Sequence, residues 1–112
     1  MQEYKIVVQG TRKIITYLKS YLKMPYKLYY FAKQNENYFK KLKKADVVIT
    51  MSWGKTMWGG TETLKVPEVQ NLKLIHLPGA GTDAINFSQL PKNCKVCNVY
   101  EHEIPIAEYC IA

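Results

Sequence analysis

Five apolar runs divide the chain: Lys5–Gln9 around Ile6, Val7 and Val8; Lys27–Phe31; Asp46–Met51 around Val47, Val48 and Ile49; Lys73–Leu77; and Lys95–Val99. The first, third and fourth are near-continuous rather than alternating, which is the pattern of parallel strands covered on both faces. Helical patterns lie between the early runs. Thr11 can cap a helix in which Ile14, Ile15, Leu18 and Leu22 form one apolar stripe, and Met24-Pro25 ends it. Asn35 can cap a second helix with Tyr38, Phe39 and Leu42 facing inward and lysines outward. Residues 52–71 are the least regular, broken by Gly59-Gly60 and Pro67, with room for a short helix from Thr61 to Val69. A last helix opens at Pro105 and reaches Ala112.

Strands alternating with helices at this spacing predict an α/β fold with a doubly wound parallel sheet. Right-handed crossovers then favour a flavodoxin-like, three-layer α/β/α arrangement of five strands in the order 2-1-3-4-5. The 112 residues suffice for one domain. The two-turn helix at the end has no glycine or basic stop, so the chain is expected to be the first part of a longer protein.

Composition narrows the function classes. Hydrophobic residues make up 47% and charged residues 22%, an ordinary globular balance. No run approaches the roughly 18 apolar residues of a membrane span, and Gln2-Glu3-Tyr4 leads straight into a strand, so a cytoplasmic protein is expected. The net charge of +7 is unevenly placed. Residues 1–44 carry ten Lys and Arg12 against Glu3 and Glu36, whereas residues 45–112 carry five Lys against two Asp and five Glu. Fifteen of the sixteen basic residues are Lys, while base reading and phosphate forks favour Arg. A solvated lysine-rich helix face therefore outweighs a nucleic-acid surface.

Cys94, Cys97 and Cys110 are an odd set without a secreted context, which predicts free thiols. Cys94 and Cys97 match C-x-x-C, but on an extended strand positions i and i+3 point to opposite faces. No second pair completes a zinc site, and no metal is expected. A nucleophile elbow, a P-loop and H-E-x-x-H are all missing from the sequence.

Ligands of open parallel sheets gather beyond the carboxyl ends of the strands. Three such ends carry suggestive residues: Ser52-Trp53-Gly54, Pro78-Gly79-Ala80-Gly81-Thr82-Asp83, and Asn98 to Ile104. Gly79 and Gly81 flank one small residue, so the backbone can turn sharply and bring N–H groups to an anion. A tight turn with Asp83 capping a following helix explains the same spelling, and both readings stand. G-x-G-x-x-G would need glycine at position 84, where Ala84 stands, so this is not a dinucleotide fingerprint. Trp53 can line the cleft mouth or pack. His102, between Glu101 and Glu103, can contact substrate or remain solvated. His76, inside a strand, reads as a packed core or rim residue.

Residues 73–112 resemble the substrate-binding domain of the NAD-dependent D-2-hydroxyacid dehydrogenases, the formate and glycerate dehydrogenase group. Members look like G-x-G-x-D-x-(I/V)-D, which Gly79, Gly81, Asp83 and Ile85 match, with Asn86 in place of the closing Asp. Ala107-Glu108 on the last helix is similar to the family's Ala-Glu pair, and His102 stands where formate dehydrogenases carry a substrate-binding Asn. The resemblance implies that backbone around Ala80 holds the substrate carboxylate or carbonyl, with a larger 2-hydroxy or 2-oxo acid favoured over formate. The implied substrate-binding set is Gly79, Ala80, Gly81, His102, Trp53 and Gly54. It further implies that NAD or NADP, and the catalytic Arg, Glu and His, belong to a nucleotide-binding domain outside residues 1–112. The isolated chain is then expected to be inactive and to bind no cofactor. The alternative is a non-catalytic flavodoxin-like interaction module or a truncated paralogue. A phosphoacceptor receiver is disfavoured, because Gln9-Gly10-Thr11 and Met51-Ser52-Trp53 supply no clustered acids.

Overall fold

The computed structural model describes residues 3–10, 12–55, 65–69, 71–77 and 85–97, the side chains of residues 17 and 21 excepted. Five parallel strands form one sheet: β1 Tyr4–Gln9, β2 Tyr26–Phe31, β3 Val47–Ile49, β4 Leu74–His76 and β5 Lys95–Cys97. Their order is β2-β1-β3-β4-β5, the flavodoxin-like order expected from the sequence. Two helices are described, α1 Lys13–Tyr21 and α2 Glu36–Leu42.

Strand alternation divides the core between the two faces. Ile6, Val8, Val47, Ile49 and Leu74 pack with Ile14, Leu18 and Leu22 of the α1 layer. Val7, Val48 and Ile75 pack on the other face with Tyr38 and Leu42 of α2, and with Trp53, Leu77 and Ile85. Val7, Val8, Val47, Val48 and Ile75 are fully buried, so each contributes about 1.5–3 kcal/mol of transfer free energy. That double covering explains why these runs lack polar alternation. The same division separates the cysteines: Cys94 packs against the α2-side core and Cys97 against the α1-side core, and both are free thiols.

Helix starts show one agreement and one correction. Asn35 caps α2, its Oδ1 accepting the Tyr38 N–H at 2.9 Å. α1 instead begins after Arg12, whose side chain makes no capping bond, and Thr11 lies outside the described residues. The helix sketched over residues 61–69 is absent from its described part, 65–69. Pro67 accounts for this, since it lacks an N–H and forces the preceding residue out of helical geometry. The Val66 N–H is satisfied by the Gln89 side chain at 2.7 Å instead.

The sheet's outer strand β2 is bracketed by cations. The Arg12 guanidinium lies 4.9 Å from the Tyr30 ring centroid, and the Lys41 ammonium 4.2 Å from that of Tyr29. Tyr29 and Tyr30 are consecutive and face opposite sides of the sheet, so each face of the edge carries one cation–π contact. Between β4 and β5 the described connection holds one 3-10 turn, Phe87–Gln89, in place of a full helix. Asn86 caps it, accepting the Ser88 N–H at 3.2 Å. Among the described residues, no helix is long and apolar enough to cross a membrane.

Candidate functional site

Uncharged polar residues stand at or just beyond the carboxyl ends of β1, β2 and β3: Gln9, Gln34, and Thr50 with Ser52. Gln9 and Thr50 lie on the α2 face, in register with Val7 and Val48 two residues earlier. The Gln34 amide nitrogen approaches four oxygens: Gln9 Oε1 at 3.2 Å, Thr50 Oγ1 at 3.1 Å, Ser52 O at 3.0 Å and Ser52 Oγ at 3.1 Å. It has two hydrogens to share among them. The Thr50 hydroxyl donates to Gln9 Oε1 at 2.6 Å, and Gln9 in turn donates to the Ala32 carbonyl at 3.1 Å. The Tyr38 phenol beneath is pushed up by burial, an effect partly offset by a hydrogen bond with Thr50.

This cluster sits where β1 meets β3, the point at which strand order reverses and ligands of such sheets collect. It carries no charge, and the Ser52 hydroxyl donates to the Lys55 carbonyl at 3.2 Å rather than to a base. Nucleophilic chemistry therefore has no support here. Its physical effect is to fix the chain leaving β3, because both the carbonyl and the hydroxyl of Ser52 are held by Gln34.

Trp53 and Gly54, two of the anticipated site residues, are fixed from the other side as well. Trp53 forms a parallel bridge with Ile85, and its carbonyl accepts the Asn86 N–H at 2.8 Å. Its side chain is 1% exposed, and the indole N–H donates to the Gln89 carbonyl at 3.0 Å. Packing is thus the role its described contacts serve. Gly54 has φ +72°, and a Cβ there would fall 2.8 Å from Asn86 Cβ, so glycine is required both by conformation and by space. These contacts join the segment after β3 to the residues that close the segment after β4. Gly79, Ala80, Gly81 and His102 themselves lie outside the described residues.

His76 is buried, 1% exposed, as its place in β4 predicted. Among the described residues its Nδ1 has no hydrogen-bond partner, and desolvation lowers its pKa from 6.5 to about 4. Burial raises the Cys94 thiol to about 11, which leaves it un-ionised and unreactive at neutral pH. No cluster of three or more His, Cys, Asp or Glu suited to a metal ion occurs among the described residues.

The described residues do not fit a dinucleotide. A doubly wound sheet would cradle the pyrophosphate at its first strand-to-helix turn. Here that turn offers Gly10 at φ +86°, with Met51 Cγ 3.1 Å from where a Cβ would stand, and Arg12 rather than a second glycine. Comparison of the chain with protein-family models, curated proteins and solved structures gave no match in any of the three.

The Gln9–Gln34–Thr50 network was not anticipated from sequence. A signal was present: three apolar runs are each followed within three residues by an amide or hydroxyl side chain. The expected strand order brings these strand ends together; what the signal lacks is which of the polar side chains turn toward one another.

Proposed function

We propose that these residues form the amino-terminal substrate-binding portion of an NAD-dependent D-2-hydroxyacid dehydrogenase, holding the carboxylate of a 2-oxo or 2-hydroxy acid for hydride transfer at C2. One observation carries the reading: the Trp53–Ile85 bridge, with Asn86 hydrogen-bonded to Trp53, at the carboxyl edge of a 2-1-3-4-5 sheet. It anchors the chain that closes residues 79–84 against the rigid segment 52–54. A backbone cradle at Ala80 is what orienting a small acid requires, and the residues that follow it, Ile85 and Asn86, are fixed to the segment after β3.

This portion binds and orients. Nicotinamide, when bound to the complete enzyme, exchanges the hydride, and the resemblance assigns its site to a separate nucleotide domain. Among the described residues no side chain is set to move a proton: the His76 imidazole is closed to solvent and stays neutral.

The test is an amide-resolved NMR titration of the 112-residue chain with pyruvate and with longer 2-oxo acids. Shifts concentrated at Gly79, Ala80, Gly81 and Gly54, together with no NADH oxidation by the same sample, are the expected result. Amides at 79–81 that stay unmoved by every acid, or NADH turnover by this chain alone, would overturn the proposal.

A further inference from the structure

Away from the strand ends, a groove of about 370 Å³ runs between α2 and the segment before β4. Lys40 and Lys43 of the α2 region and Lys65 opposite line it, over a floor of Phe39 and Pro67. Its one carboxylate, Glu36, is already paired with Lys40 at 3.6 Å. Three lysines thus share one groove with Phe39, Pro67 and a single acid that is itself paired. Pro67 also lines a second hollow of about 510 Å³, of mixed character, in which Leu90 and Pro91 stand beside the polar Ser88, Gln89 and Asn93 and the charged Glu68 and Lys92.

We propose that this double groove docks an extended peptide segment of a partner protein, acidic where it crosses α2 and aliphatic where it passes Pro67. Charge complementarity selects the acidic half. The cations are all lysines, compact point charges suited to single carboxylates, whereas phosphate recognition along a nucleic acid favours arginine forks. The half-buried Phe39 and Pro67 of the first groove and Leu90 and Pro91 of the second select the aliphatic half, since they leave apolar surface open to a branched side chain. Glu68 would repel a phosphate backbone continuing along the same path. Groove recognition of this kind places affinity in a few apolar anchors, with rim charges steering the approach. The docking stands apart from acid binding at the strand ends and holds equally for a catalytic portion or a non-catalytic module.

The experiment is a fluorescence-anisotropy titration of the 112-residue chain with a labelled peptide in which glutamates precede a leucine–valine pair. Binding at low salt that weakens as salt rises is expected. The combined K40Q, K43Q and K65Q changes should weaken it roughly tenfold, the sum expected of three exposed ion pairs. An all-glutamate peptide should bind less well than the mixed one. A circular-dichroism melt of the triple variant, expected to match the native chain, separates lost binding from lost folding. No peptide binding at low salt, equal affinity for the all-glutamate peptide, or an unchanged affinity in the triple variant overturns the proposal. So does a thymidine oligonucleotide that binds more tightly than the peptide and is lost in that variant.

Discussion

Two polar inclusions interrupt the apolar sheet at its carboxyl edge, one strand apart and on opposite faces. On the α2 face, Gln9, Gln34, Thr50 and Ser52 hydrogen-bond one another and the Ala32 and Lys55 carbonyls. On the α1 face, two residues on from Leu74, His76 is equally buried, yet its Nδ1 meets no partner among the described residues. The backbones of the two inclusions are joined, Thr50 N–H donating to the His76 carbonyl at 3.1 Å. Burial alone therefore says little about what a polar group does to stability. A buried network whose members are paired costs little and specifies geometry, whereas one unpaired buried atom forfeits its hydration with no return.

The contrast is sharpest under acid. His76 has a folded pKa of about 4 against an ordinary 6.5, so the unfolded chain binds more protons between these values. Its contribution to stability is complete above about pH 6.5 and falls as pH drops toward about 4. The loss is on the order of 2–3 kcal/mol. Urea unfolding as a function of pH, with a His76→Leu variant as reference, reads this directly. Parallel profiles for the two proteins across that window would remove the imidazole as the cause.

Breaking the paired inclusion should cost somewhat less, because it titrates nothing. Gln34→Leu removes the donor shared by four oxygens and leaves the Ser52 carbonyl and hydroxyl without it. A loss of about 1–3 kcal/mol at neutral pH is expected, with no added pH dependence, measured as a lower urea midpoint at constant slope. A midpoint equal to that of the native chain would mean that the network is incidental.

The smallest effect separates the two inclusions most cleanly. His76→Leu at pH 7 exchanges an unsatisfied ring for an apolar side chain, and should change stability by less than about 1 kcal/mol, in the stabilising direction. A destabilisation of several kcal/mol would show that Nδ1 has a role in the folded protein beyond occupying space.

The fold was legible from the sequence because its signals are local and redundant. Ile6-Val7-Val8, Val47-Val48-Ile49 and Leu74-Ile75 each read as a strand covered on both faces, and each is one. The capping Asn35 fixed the second helix start within its own four residues. Where the reading erred, a local rule was overruled by a distant partner. The residues up to Val69 look helical, but Pro67 opposes the helix and Gln89, 23 residues away, takes the Val66 N–H. The site was less legible for the same reason. Gln9 and Gln34 are 25 positions apart, and although the expected strand order places their strand ends together, it does not say that the chain leaving β2 turns the Gln34 amide back over β1 and β3. Gly54 gave no hint that Asn86 would press against it, although Asn86 was visible as a departure from the family spelling.

The cations bracketing β2 have a consequence for the protein's behaviour at high concentration. A second molecule adding its own β2 edge to edge would bring the Arg12 and Lys41 charges of both copies together across the new ladder. Like-charge repulsion on both sides of the margin opposes such edge-to-edge pairing, while the Lys27 ammonium on the strand itself is already paired with Glu3 at 3.7 Å.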